Sequence, residues 1–216
     1  MLHWRQKLEG GGRMHIPGCL TTEMELLDFD RVLAAALAPC PDYDVSKWLY
    51  VPNTYQEYRY LLGTRGEKPL ICIGVNPSTA APGDLDNTLK SVERVALHNG
   101  FDSFIMSNVY AQRATRPGDM ERELNARLHR ENLAAFAYAL SLSSAPAVWA
   151  AWGNIIEQRP YLPLCVRDMA ETGREYGASW YTAGARSKRG HPQHPLYLRK
   201  DSVLDAFDVE AYCAEL

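Results

Sequence analysis

"PLICIGV" (69–75) runs directly into "NPSTAAPGDLDNT" (76–88), and the change of character at residue 75 decides how the chain is read. A short, nearly continuous apolar run suits a strand buried on both faces. The segment after it is made of turn residues: Asn caps, Pro fixes φ, and Asp84 or Asp86 stands where a helix N-cap is needed. Leu89, Val92, Val95 and Ala96 then fall on one helical face, closed by Asn99-Gly100. The unit is strand, polar turn, amphipathic helix.

The unit repeats along the chain. Further strands are predicted at "SFIMSNVY" (103–110), "PAVWAAW" (146–152) and "ASWYTAG" (178–184). Leu133, Phe136, Ala137 and Leu140 make a second helical face. Leu162, Cys165, Val166 and Met169 make a third, ended by Gly173. Such alternation predicts a three-layer α/β/α fold with a mainly parallel central sheet. Upstream, Thr22 and Glu25 match a capping box, and Leu26, Phe29, Leu33, Ala36 and Leu37 share a face, so a helix is expected from Thr22 to the prolines at 39 and 41. "YQEYRYLL" (55–62) reads as an edge strand. Residues 1–20, with "EGGG", read as a loose lead-in, and 21–216 as a single α/β domain.

Composition sets outer limits. The 216 residues are 46% hydrophobic and 23% charged, ordinary for a globular chain. No stretch approaches the roughly 18 apolar residues of a membrane helix, and "MLHWRQKLEGGGRMH" lacks a signal-peptide core. Five cysteines without CxxC spacing argue against a zinc site or a disulfide framework, so a cytoplasmic setting is expected. A net charge of −3 and a pI near 6.1 leave nucleic-acid affinity to a local basic patch.

The unusual polar residues cluster at the expected strand ends. The first strand runs into Asn76-Pro77-Ser78-Thr79, the second carries Asn108 and leads into "YAQRATRPGD", and the third ends in Trp152-Gly153-Asn154. After the fourth comes "ARSKRGHPQHPLY". In a parallel sheet these segments meet on one edge, where open α/β folds bind ligands. Each also has a structural reading: "NPST" is a common turn, and Arg113 and Arg116 suit a solvated loop. Asn108 is harder to explain away, because a buried amide needs a partner. His191 and His194 match HxxH, but without a third ligand no metal site is expected.

In order and wording, "NPSTA", "DNT", "NVYAQRAT", "AWGN" and "HPLYL" resemble domain-of-unknown-function family 1643 over roughly residues 55–200. A more distant likeness is to the uracil-DNA glycosylase superfamily. There a first strand ends in G-x-N-P and positions water, a second carries the Asn that reads the base, a third ends in W-G, and a late His-Pro loop supplies a catalytic His. Carried onto this chain, the likeness implies Asn76, with His191 or His194, as catalytic groups. Gly74, Pro77, Asn108, Trp152 and Gly153 match the same motifs and would contact substrate. Beside the likeness, Ser78, Thr79, Tyr110, Arg113 and Asn154 in the same strand-end segments are candidate substrate contacts, and Lys188, Arg189 and Arg199, near Arg186, are a candidate phosphate patch. The likeness implies a uracil-DNA-glycosylase-like hydrolase or binder acting on a nucleobase, nucleotide or modified DNA, without cofactor. Two alternatives share these residues: a non-catalytic nucleotide- or nucleic-acid-binding module, and a metal-assisted phosphoryl or glycosyl transferase using Asp84, Asp86 and the helix start after "NPST".

Overall fold

A computed structural model describes residues 14–216. Most of the lead-in expected at 1–20 therefore lies outside the described residues. The chain is α/β, with five α-helices and seven strands in one mixed sheet among the described residues. The strands are β1 (Trp48–Val51), β2 (Leu61–Thr64), β3 (Pro69–Gly74), β4 (Ser103–Asn108), β5 (Ala147–Ala150), β6 (Ser179–Ala183) and β7 (Leu204–Ala206). Their spatial order is β1-β2-β4-β3-β5-β6-β7.

The four strands read from apolar runs form the parallel centre, β4-β3-β5-β6. The sheet is more mixed than expected, because three antiparallel strands flank that centre. β1, inside "SKWLYVPN", and the three-residue β7 were not foreseen. Both are too short to establish a period of their own, and they form by pairing with strands already in place. The expected edge strand at 55–62 is displaced: only Leu61 and Leu62 enter β2, which lies between β1 and β4.

Helices α2 (Asn87–His98), α3 (Ala126–Ser141) and α4 (Leu162–Glu175) connect the parallel strands. Leu89, Val92, Val95 and Ala96 of α2 pack in one apolar cluster with Leu70, Cys72, Phe104 and Met106. Phe136, Leu140, Cys165, Val166 and Met169 of α3 and α4 pack with Ile71, Ile73, Ile105 and Val148 in another. Alternate β3 residues thus feed opposite clusters, as the two-residue period of a strand requires. The terminal α5 (Val209–Glu215) adds Tyr212 to the second cluster.

Two helix ends depart from expectation. The first helix, α1 (Phe29–Leu37), starts after Asp28 rather than at Thr22. Tertiary bonds override the capping pattern: the Thr21 amide and hydroxyl both donate to Glu121, and the Phe29 amide donates to Glu131 at 2.7 Å. Gly173 does not end α4 but lies within it, where an added Cβ would sit 3.0 Å from the Trp180 ring. The left-handed turn comes later, at Gly177 (φ 65°). Among the described residues no helix is long and apolar enough to cross a membrane, and none of the five cysteines is paired.

Candidate functional site

From β3 the chain passes through α2 to β4 on one side, then through α3 to β5 on the other side of β3. That reversal opens a crevice at the strand C-terminal ends. A cavity of about 620 Å³ occupies it, walled by residues after β3, β4 and β5, by the start of α2, and by the 192–197 segment.

Asn108 ends β4 opposite Gly74 of β3. It is fully buried, and neither its amide nitrogen nor its amide oxygen has a partner, although it lines the cavity. Leaving such groups unmet costs about 1–3 kcal/mol each. The backbone around it is well secured: Asn132 of α3 donates to the Asn108 carbonyl at 2.8 Å, and the Val109 amide donates to Gly74 O at 2.8 Å. Gly74 keeps the space open, since a Cβ there would lie 2.5 Å from Met106 Cε and 3.3 Å from Asn108 Oδ1.

The loop after β3 is held from several sides. Asn76 Nδ2 donates to Ala114 O at 2.6 Å and to Pro77 O at 3.3 Å, which turns the amide oxygen away from those carbonyls. The Ser78 hydroxyl donates to Asp86 at 2.5 Å, and the other Asp86 oxygen caps α2 by accepting from the Leu89 amide at 2.9 Å. Two buried arginines grip the loop's carbonyls: Arg113 donates to Ser78 O, and Arg59 Nη1 donates to Ala80 O at 2.9 Å. Arg113 also reaches Gln56 O and the Tyr50 hydroxyl, and its guanidinium lies 4.4 Å over the Tyr55 ring.

His194 also lines the cavity. Its Nδ1 accepts from the Leu196 amide at 3.3 Å, a pairing that assigns the neutral ring's proton to Nε2. Burial lowers its pKa, against a smaller opposing pull from Asp86, so the neutral ring dominates at pH 7. The next turn is fastened to α2, whose Ser91 hydroxyl donates to Pro195 O at 2.8 Å. Gly153, at φ 62°, lets the loop after β5 lie against His194.

Of the residues singled out from sequence, Gly74, Asn76, Ser78, Asn108, Gly153, Asn154 and His194 line the cavity. Pro77, Thr79, Tyr110, Arg113, Trp152 and His191 are not on its wall, and neither are Lys188, Arg189 and Arg199. Tyr110 is engaged elsewhere, donating to Glu121 and accepting from the Asn125 amide. Trp152 Nε1 donates to the Tyr212 hydroxyl at 3.0 Å, that hydroxyl meets His191 Nδ1 at 2.8 Å, and His191 Nε2 meets Glu157 at 2.8 Å. Glu157 also pairs with Arg189, while Arg199 pairs with Asp201 at 3.1 Å on the surface. Asp86 is on the wall and Asp84 is not.

Sequence reasoning missed Arg59, Met106, Thr115 and Tyr197 on the cavity wall. Arg59 carried a usable signal, a lone charge inside the apolar run "YRYLL". Tyr197, 72% exposed, offers an aromatic face at the opening.

No curated protein and no solved structure matches the chain. The family described as "Protein of unknown function (DUF1643)" matches residues 59–196, which include nearly all of the cavity wall and more than half of the chain. The chain belongs to that family.

Proposed function

We propose that the cavity takes a nucleobase-bearing ligand in a uracil-DNA-glycosylase-like arrangement and hydrolyses its N-glycosidic bond. The observation that carries this reading is Asn108: a fully buried amide with donor and acceptor both unmet, facing a cavity. A pairing edge that offers an acceptor beside a donor would satisfy both at once. Met106 and Leu89 supply apolar wall for the ring. Asn76, its nitrogen held by Ala114 O, presents Oδ1 to orient a water. That water's oxygen bonds to the anomeric carbon as the carbon–nitrogen bond breaks. The electron pair leaves with the base, toward which neutral His194 donates from Nε2, and the water's proton goes to solvent.

One feature favours a second reading, a binding module without chemistry: the group at position 76 is an amide, which accepts no proton. A single assay separates the two. Deaminated and modified nucleosides, nucleotides and oligonucleotides are incubated with the full chain, and free base is followed by chromatography. Base release that disappears in Asn76→Ala supports hydrolysis. Saturable binding without release leaves the binding module, and neither binding nor release across the panel removes the nucleobase reading.

A further inference from the structure

Among the described residues, the cavity wall carries one positive charge, and the fold leaves it without a close counterion. Arg59 is 1% exposed, its Nη1 holds Ala80 O, and its buried Nε has no partner. Among the described residues it makes no ion pair. The carboxylate whose field reaches it, Asp86, has one oxygen on the Leu89 amide and the other on the Ser78 hydroxyl. The neighbouring Arg113 adds repulsion, while its own charge is faced by Glu57, which bonds His15. Burial first, and Arg113 second, pull the Arg59 pKa down to about 9, which leaves the guanidinium charged at neutral pH. A buried cation without a counterion is costly, and a planar fork of donors is suited to an oxyanion.

We infer that Arg59 is an oxyanion subsite, which binds the terminal phosphate or carboxylate of a small ligand whose other end occupies the cavity toward Asn108. The identity of that other end rests on the nucleobase reading above; the oxyanion end rests on Arg59 alone. Because the guanidinium is almost fully enclosed, the anion must enter the cavity itself. A terminal phosphate monoester can do so more readily than an internal phosphodiester flanked by chain on both sides. The ligand class that satisfies both ends is a free mononucleotide rather than a DNA strand.

The test uses the full chain in phosphate-free, low-chloride buffer, with calorimetric titration and thermal melts. The probes are inorganic phosphate, acetate, nucleosides, their 5′-monophosphates and short oligonucleotides without terminal phosphates. Inorganic phosphate or acetate should raise Tm saturably, and whichever does so identifies the oxyanion. Where phosphate is that oxyanion, a 5′-monophosphate should bind on the order of 10- to 100-fold more tightly than its nucleoside, the scale of charged hydrogen bonds. Arg59→Met should abolish the preference and Arg59→Lys keep part of it. If Arg59→Met does not fold, the wild-type comparison and Arg59→Lys still decide. Oxyanion binding without affinity for any base-bearing probe would remove the nucleobase reading and leave the subsite standing. Nucleosides bound with no gain from an anion, or oligonucleotides bound in preference to mononucleotides, would overturn the subsite and spare the nucleobase reading.

Discussion

Two polar clusters flank the C-terminal ends of the parallel strands, and they are built on opposite principles. Around Tyr212, a chain of contacts from Trp152 through His191 to Glu157 and Arg189 satisfies group after group. Around Asn108 and Arg59, buried donors and acceptors are left open beside a cavity. The first cluster fastens α5 and the 187–191 loop to the end of β5. The second leaves polar groups open at a cost in stability, which under the function proposed above keeps binding capacity. Residue type does not separate them, since each contains residues that sequence inspection flags; completeness of hydrogen bonding does.

The sharpest way to break this comparison is Asn76→Ala. Under the hydrolytic reading it should lower kcat by roughly 10² or more with little change in KM, the scale of losing one positioned group. Single-turnover base release measures it, and an unchanged rate would remove Asn76 from the chemistry.

Asn108→Leu comes next. Replacing an unpaired buried amide with an apolar side chain of similar size should leave Tm unchanged or raised, while binding of a base-bearing ligand falls about 10-fold or more. A drop in stability of several kcal/mol would mean that the amide already has its partners within the fold.

Tyr212→Phe should do the reverse. It strips Trp152 Nε1 and His191 Nδ1 of their shared partner, costing about 1–3 kcal/mol, with ligand affinity unaffected. Denaturant melts and ligand titration on the same variant test both halves.

The smallest effect is in pH. The folded pKa of His194 is depressed below its ordinary 6.5, so the unfolded chain takes up its proton first as pH falls. Its contribution to stability is complete above that unfolded value and is lost as pH drops from about 6.5 toward the folded pKa. NMR titration of the His194 ring should give a midpoint below 6.5 in the native chain, and one above it would reverse the assigned charge state.

The central strands and α2 were legible because burial on both faces forces unbroken apolar runs and because Asp86 and Asn99-Gly100 mark helix ends chemically. The flanking strands were not, since β1 and β7 depend on pairing partners elsewhere in the chain. The same division holds at the site. Asn108 was conspicuous as an amide in an apolar strand, and the strand ends did converge. Arg59 gave the same kind of signal but stood outside the strand–helix repeat and passed as part of an edge. The histidines show the limit: His191 and His194 share the residues "HP" in the chain, and only the folded backbone turns one toward Tyr212 and the other to the cavity wall.

The cavity wall draws on residues from Arg59 to Tyr197, with the segments after β3, β4 and β5 between them. No short continuous segment of the chain contains it, and contacts between residues so far apart in sequence form slowly. Binding competence should therefore appear only with the last stage of folding, and a bound ligand should suppress global opening rather than local fraying. Amide exchange in Ile73, Met106 and Val148, at the centre of the parallel sheet, would then slow by a factor of 1 + [L]/Kd at free ligand concentration [L], so that ligand affinity can be read from the most protected part of the chain.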